Sequence, residues 1–259
     1  MGSRVRAQPT GTARIRGSTA FDHGGGRTCL VIGSLLAIEC SQRTGGVALL
    51  DGTGHVRVER FEPDVRHGDV LLPTIDRMCT EADLDRRDLA GCGVSIGPGG
   101  FTGLRVSIAT ARTIAWTLDI PVYGVPSALV VATALDASIS NAVVALAGKG
   151  TDAWLTGLVR DDAGWRIDRP GALVERSNSD GWFTGTGVLV ADEHVPAGIT
   201  DAAASAGWST GEPDWDPGAC LDVVRRRHES SLPDDSHTLQ PIYPRVPEAV
   251  SLWEARKRS

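Results

Sequence analysis

A short segment at residues 95–105 constrains the fold of this chain more than any other part of its sequence. It reads Ser-Ile-Gly-Pro-Gly-Gly-Phe-Thr-Gly-Leu-Arg and follows an apolar run at residues 90–96 that predicts a buried strand. Apolar residues then recur at helical spacing, so the segment joins a strand to the start of a helix. Backbone N–H groups converge at such a helix end, which carries partial positive charge. Two interpretations stay open: the segment is either a vestigial phosphate loop or a tight strand-to-helix turn that needs glycine. The candidate phosphate-loop residues are Gly97, Gly99, Gly100, Thr102 and Gly103.

Neither of the common nucleotide-binding motifs is present in this segment. A P-loop would continue with Gly-Lys followed by Ser or Thr, and no such sequence follows here. The dinucleotide fingerprint is also broken, because the third glycine, Gly103, is displaced by one position.

Hydrophobic patterning on both sides of the segment predicts the element order βββαβαβα. Three antiparallel strands are expected at 35–39, 46–50 and 55–61, with a hairpin turn at Asp51-Gly52-Thr53-Gly54. A helix is expected at 69–84 with Asp69 as its N-cap, then a strand at 90–96 and a helix at 102–118. A strand at 121–125 and a helix at 127–135 complete this half.

The second half of the sequence resembles a worn copy of the first. Strands are expected at 142–147, 154–159, 165–167 and 188–191, with helices near 199–206 and 218–228. We therefore divide the chain into an arm at 1–30, an N-terminal subdomain at 31–137, a C-terminal subdomain at 138–238 and a tail at 239–259.

Charge and cysteine content exclude several kinds of function. The chain carries a net charge of −6, which argues against charge-driven binding of nucleic acid, so any RNA contact is expected through a partner. The five cysteines form no CxxC pair, and the six histidines never stand at the spacing of a metal motif. We expect no disulfide, no metal and no cofactor.

The first 30 residues hold five arginines and one aspartate and are rich in Gly, Ser and Thr. A secretory signal is the alternative, because the apolar run at 29–38 follows basic residues, but Glu39 stands where a small-residue cleavage site would lie. We interpret these residues as a disordered arm and expect a cytoplasmic protein that does not enter a membrane.

The helix expected at 102–118 has apolar residues on two of its faces. Its main line faces the sheet, whereas Val106, Ile114 and Trp116 lie off that line. Small residues elsewhere on the helix would let a second helix approach closely, so this helix is a candidate partner surface.

Several segments together resemble the TsaB family, also called YeaZ and once grouped with supposed M22 peptidases. The resemblance covers residues 34–130 and returns at 243–250. The motifs that carry it are Leu-Ala-Ile-Glu-Cys-Ser at 36–41, Gly-Val-Ala-Leu-Leu at 46–50, His67 with Leu-Leu-Pro at 71–73, the glycine segment through Arg105, and Gly-Val-Pro-Ser at 124–127. It implies an α/β fold of two ribonuclease-H-like halves, the actin-like (ASKHA) ATPase plan, with mixed sheets flanked by helices and no catalytic function.

The resemblance also implies partners. It implies direct pairing with, and activation of, the paralogue TsaD, which transfers a threonylcarbamoyl group to the adenosine beside the anticodon of certain tRNAs. The ATPase TsaE would join this complex, tRNA would be contacted only through it, and the isolated chain could form a homodimer. Pairing would use the helices at 69–84 and 102–118, through Leu71, Ile75, Met78, Leu104, Ser107, Ile108, Ala111 and Ala115. On this hypothesis Ile108→Glu or Ala111→Glu would leave the monomer folded and remove the complex.

Residues 39–41 depart from the family pattern, which has Asp-Thr-Ser where this chain has Glu39, Cys40 and Ser41. A lone acid cannot position a magnesium ion, so Glu39 is interpreted as vestigial or structural, and Cys40 as a packed thiol. No catalytic residue is expected. The alternative function is a small-molecule kinase of the same fold class that would use the glycine segment for nucleotide phosphates.

Overall fold

The computed structural model describes residues 33–63, 65–148 and 151–245, together with Trp253 and Arg256. The arm expected at 1–30 lies outside the described residues. None of the described helices is long and apolar enough to cross a membrane.

The first of two sheets is built by the strands expected from the sequence. In the described part of the chain it has five strands in the order β3-β2-β1-β4-β5. The β1–β2 and β2–β3 pairs are antiparallel, whereas β1–β4 and β4–β5 are parallel. The strands are β1 Ser34–Glu39, β2 Gly46–Leu50, β3 Val56–Arg60, β4 Leu89–Gly97 and β5 Val122–Pro126.

The second sheet repeats this arrangement. Its described strands run in the order β8-β7-β6-β9-β10, again with an antiparallel β6–β7–β8 meander and parallel β6–β9 and β9–β10 pairs. The shared order confirms the predicted duplication, although the three-residue β10 was not expected from the sequence. The strands are β6 Asn141–Ala147, β7 Asp152–Asp161, β8 Gly164–Glu175, β9 Val188–Val190 and β10 Ser209–Gly211.

The helices separate the sheets and cover their outer faces. They are α1 His67–Glu81, α2 Phe101–Leu118, α3 Ser127–Ala134, α4 Ala197–Ser205 and α5 Pro217–Glu229. One face of the first sheet packs against α1 and α2, and its other face packs against α5 and α3. The helix α3 also contacts the second sheet, whose far side is covered by α4. The molecule is therefore an α/β protein in which two mixed sheets are flanked by helices.

Two turn and cap positions show how local sequence sets these elements. The Asp51 carboxylate accepts hydrogen bonds from Thr53 N and His55 N at 2.9 and 3.0 Å, which fixes the expected β2–β3 hairpin. The predicted N-cap of α1 is wrong: the helix begins at His67, with Arg66 as an N-cap that makes no side-chain hydrogen bond. The helix therefore starts two residues before Asp69, which lies in its first turn.

The expected subdomain limits need a correction at the C-terminal end. Helix α5 was assigned to the C-terminal subdomain, but it packs on β1, β2 and β4 of the first sheet. Leu239, the first residue of the expected tail, lies in the first sheet's core and is 7% exposed. Both segments complete the core of the N-terminal half, because without them one face and one edge of its sheet would contact water.

The eight residues expected to bind a partner lie in the interior of the N-terminal half. Each is at most 6% exposed and packs between the two helices and the first sheet; they are Leu71, Ile75, Met78, Leu104, Ser107, Ile108, Ala111 and Ala115. The apolar stripes were thus identified correctly, but their assignment as a partner surface was wrong. The apolar side of a helix is buried first against its own sheet, and only the remaining surface is free for another protein.

This correction reverses the expectation for Ile108→Glu. A carboxylate at this position, 3% exposed, would be removed from water without a partner, so we expect a loss of about 3–5 kcal/mol or outright unfolding. Urea unfolding followed by circular dichroism measures this. The control Ala109→Glu changes an exposed neighbour and is expected within about 0.5 kcal/mol of the parent; equal stability of both variants would contradict the assignment.

Candidate functional site

The carboxyl ends of three strands meet at one edge of the first sheet. Parallel pairing places the ends of β1, β4 and β5 side by side, at Glu39, Gly97 and Pro126. In open α/β sheets this edge is where ligands are usually bound, so it is the first candidate site.

The glycine loop between β4 and α2 packs tightly against residues 40–41. A Cβ at Gly99 would clash with the carbonyl oxygen of Ser41, and a Cβ at Gly103 would clash with that of Cys40. In both cases the distance would be well below 3.0 Å, a separation that real Cβ atoms essentially never go under. The Gly100 N–H donates to the Ser41 oxygen at 2.6 Å. Two of the glycines are therefore explained by close approach of two backbone segments, and one N–H that could have faced a phosphate is already used.

Glu39 lies beneath this loop and is 0% exposed. Its Oε1 atom accepts a hydrogen bond from the Ser41 backbone N–H at 2.7 Å. Burial raises the pKa of this carboxyl group, against smaller lowering effects of hydrogen bonds from Ser41 and Ser95. Nearby, the hydroxyls of Ser95 and Ser127 are 2.9 Å apart. The arrangement favours a neutral, enclosed carboxylic acid over an exposed carboxylate.

Cys40 is equally enclosed, with 0% exposure. Burial raises the pKa of its thiol to about 12. A thiol with so high a pKa is protonated at neutral pH and is a poor nucleophile, which agrees with the packed-thiol interpretation. Within the described residues, no group of three or more His, Cys, Asp or Glu side chains is placed to hold a metal ion.

A second candidate site is an open groove between the outer faces of α1 and α2, which we call the α1–α2 groove. It has a volume of about 530 Å³. Its exposed wall includes Leu72, 57% exposed, and an Arg86–Asp76 ion pair lies at its rim. The lining residues are Leu72, Pro73, Ile75, Asp76, Arg86, Leu89, Thr113, Ile114, Thr117 and Leu118.

Two large apolar side chains of α2 lie off the buried line that faces the first sheet. Trp116, in the last turns of α2, is 72% exposed, and Ile114 lines the groove. Both residues were singled out from the sequence because they lie off the main apolar line. Leu72 was missed because its neighbour Leu71 fits the buried line; a helical wheel places Leu72 about 100° away from it. Of the eight residues predicted at an interface, Ile75 alone also lines the groove.

Comparison with known proteins gives three kinds of match. A family model described as "TsaD: tRNA N6-adenosine threonylcarbamoyltransferase" matches residues 64–158. The TsaB protein of Bacillus subtilis (strain 168) is 33% identical over 94 residues, which is 36% of this chain and 41% of the relative. The TsaB protein of Escherichia coli (strain K12) is 29% identical over 99 residues, 38% of this chain and 42% of the relative.

The structural match extends further along the chain than these sequence matches. YeaZ from Pseudomonas aeruginosa superimposes with a TM-score of 0.65 at 17% identity, covering 81% of this chain and 100% of that protein. The chain thus spans less than half the length of the two curated relatives in sequence, while the fold is shared over most of its length.

The repeated strand order and the layered helices define the class of protein: a duplicated α/β fold with two mixed sheets, which is shared with YeaZ from Pseudomonas aeruginosa. The named matches are to TsaB (YeaZ) proteins, to which the chain is similar over part of its sequence and over most of its fold.

The packing role of the glycine loop can be tested at two adjacent positions. Gly99→Ala places a methyl group against the Ser41 carbonyl oxygen, and we expect a loss of about 1–3 kcal/mol in the free energy of unfolding. The control Gly100→Ala meets only one atom at 3.7 Å and should change stability by less than about 0.5 kcal/mol. Urea titration decides, and equal effects at the two positions would rule out the packing role.

The buried Glu39 predicts a pH dependence of stability. Because its pKa is higher in the folded than in the unfolded protein, the folded state keeps a proton that the unfolded state releases. Stability is therefore greatest below the unfolded pKa and falls as pH rises toward the folded pKa. Glu39→Gln removes this fall, so the variant should gain stability relative to the parent as pH rises above about 4.5.

Urea unfolding at a series of pH values between about 4.5 and 8 measures this difference. Glu212→Gln, at an exposed position, is the matched control. Parallel curves for the parent and Glu39→Gln would show that Glu39 does not hold its proton in the folded state.

Proposed function

We propose that the chain is a non-catalytic subunit in the formation of threonylcarbamoyladenosine in tRNA, and that it acts by docking a TsaD-type paralogue on the α1–α2 groove. The observation that carries the proposal is an open apolar groove on the segment of the chain that matches the TsaD family model. Similarity to TsaB proteins supports the tRNA-modification context, since these relatives are named for threonylcarbamoyladenosine biosynthesis.

The family match supports a TsaD-type protein as the partner. The match to the TsaD model at 64–158 includes both α1 and α2, so a TsaD-type protein carries an equivalent pair of helices. Two homologous helix pairs can meet about a pseudo-twofold axis, each offering the same kind of surface to the other. The result would be a four-helix contact in which each groove receives a ridge of the partner.

The side chains around the groove suit such a contact. Leu72 exposes a large apolar surface on the groove wall. Trp116 is exposed on α2 outside the groove lining, and exposed aromatic residues often carry much of the binding energy in protein interfaces. The Arg86–Asp76 pair gives polar groups at the rim.

The proposal that this subunit is non-catalytic is based on the edge of the first sheet where β1, β4 and β5 end. The only acid at the end of β1, Glu39, is fully enclosed, and the loop above it is packed on residues 40–41. Chemistry is therefore assigned to the TsaD-type partner, which this subunit would hold in an active arrangement. A TsaE-type ATPase is the proposed third member, and tRNA is contacted through the assembled complex because this chain is acidic.

A cytoplasmic location is part of the proposal. The described cysteines Cys40, Cys79, Cys92 and Cys220 are free and buried, which agrees with a reducing compartment.

Leu72→Glu tests the docking surface. A charge on the exposed groove wall should leave the monomer folded and weaken binding to the TsaD-type paralogue of the same organism about 30-fold or more. Leu232→Glu is the matched control, since Leu232 is 60% exposed and lies just after α5, away from the groove. Isothermal calorimetry with the purified paralogue gives both affinities, with circular dichroism to verify folding.

Trp116→Ala tests whether the contact extends from the groove to the exposed Trp116 of α2, and we expect it to weaken binding by a similar factor. Unchanged affinity in Leu72→Glu and Trp116→Ala, or an equal loss in Leu232→Glu, would place the partner elsewhere on the molecule. Turnover of ATP and a small-molecule acceptor by the chain alone would favour the kinase alternative.

A further inference from the structure

The residues after α5 cross the first sheet as an ordered strap, which we define as residues 234–245. At its start, Asp234 N donates to Val122 O at 2.8 Å, and the Asp234 carboxylate accepts from Gly124 N at 2.6 Å. Arg112 of α2 donates to the carbonyl oxygens of Ser236 and His237. These contacts and the buried Leu239 anchor the first part of the strap firmly to the N-terminal half.

The second part of the strap lies over the carboxyl end of β4. Ile242 N donates to Ile96 O at 2.8 Å, and a Cβ at Gly97 would lie 3.1 Å from the Ile242 oxygen. Tyr243 then contacts the first turns of α2: its hydroxyl accepts from Arg105 Nε at 3.0 Å, and its ring centroid lies 5.8 Å from that of Phe101. The strap therefore covers the entrance to the glycine loop.

The end of the strap reaches the other half of the molecule. Arg245 forms an ion pair with Asp152, the first residue of β7. Gly148 N, just after β6, donates to Asp152 O at 3.0 Å, so Asp152 lies at the carboxyl end of β6. Because β6 is the equivalent of β1 in the repeat, the strap joins the same edge of both sheets.

We propose that residues 239–245 act as an intramolecular clamp that closes the crevice between the two halves at the position where α/β folds of this kind bind a ligand. The clamp takes the place of a ligand by contacting both sheets at once. Any phosphate-bearing ligand could enter this crevice only after the clamp had opened.

The contacts divide the clamp into a fixed and a releasable part. Leu239 is 7% exposed and holds the strap in the core. In contrast, the Arg245 side chain is 45% exposed and that of Asp152 is 16% exposed, and partly exposed ion pairs contribute little free energy. Residues 242–245 can therefore detach while the strap stays anchored at Leu239.

A charge swap on the full chain tests the clamp. We expect Arg245→Asp and Asp152→Arg each to speed amide hydrogen exchange about threefold or more at residues 96–104 and around residue 152. The double variant Arg245→Asp with Asp152→Arg restores an ion pair and should return both regions toward the parent rate. Arg166→Asp, which disturbs exposed pairs within the second half alone, should leave residues 96–104 unchanged.

Two results would overturn the clamp. One is an unchanged exchange rate at residues 96–104 in both single variants; the other is a double variant that exchanges as fast as the singles. If circular dichroism shows that Arg245→Asp or Asp152→Arg unfolds, Asp152→Asn replaces them with the same expectation, because it removes the charge at nearly constant volume. The experiment needs no partner protein, so its outcome is independent of the TsaD-type docking.

Discussion

Burial of the first sheet on both faces is the constraint on which the remaining structure depends. Alternate residues of β1 point into two different cores: Leu36 and Ile38 pack toward α1 and α2, whereas Leu35 and Ala37 pack toward α5. Both cores must be covered, and this requirement places the inner stripes of α1 and α2 on the sheet. Only the outer faces of these helices remain available to another protein, and there Leu72 and Trp116 are exposed.

The same burial explains the chemistry at the end of β1. Glu39 continues a fully enclosed strand, and the loop that follows it is covered by the glycine segment. An acid at this position in an actin-like enzyme would face a crevice open to ligand and metal. Here, the acid is enclosed, and Gly99 and Gly103 allow the glycine segment to pack closely on residues 40–41.

The sequence predicted the elements well because each carries a local signal. The alternation at 55–61, the Asp51–Gly54 turn and the 3.6-residue stripes in α1 and α2 all depend on neighbouring residues. The surface that α1 and α2 leave exposed was harder to predict, because the apolar stripe of Leu104, Ile108 and Ala111 does not show by itself whether the sheet or another protein covers it. That depends on β1 and β4, which are distant in sequence. The strap was missed for the same reason, since its contacts join residues more than 90 positions apart.

The return of α5 to the first sheet has a consequence for biosynthesis. Cys220 and Val224 fill the core beneath β1 and β4, with a Cβ at Gly93 excluded by Val224, yet they emerge from the ribosome more than a hundred residues after those strands. The N-terminal half therefore cannot complete its core during translation and must wait, with one apolar sheet face uncovered, until residue 229 is available. Such long-range closure slows folding and leaves the nascent chain prone to association until α5 covers that face of the sheet.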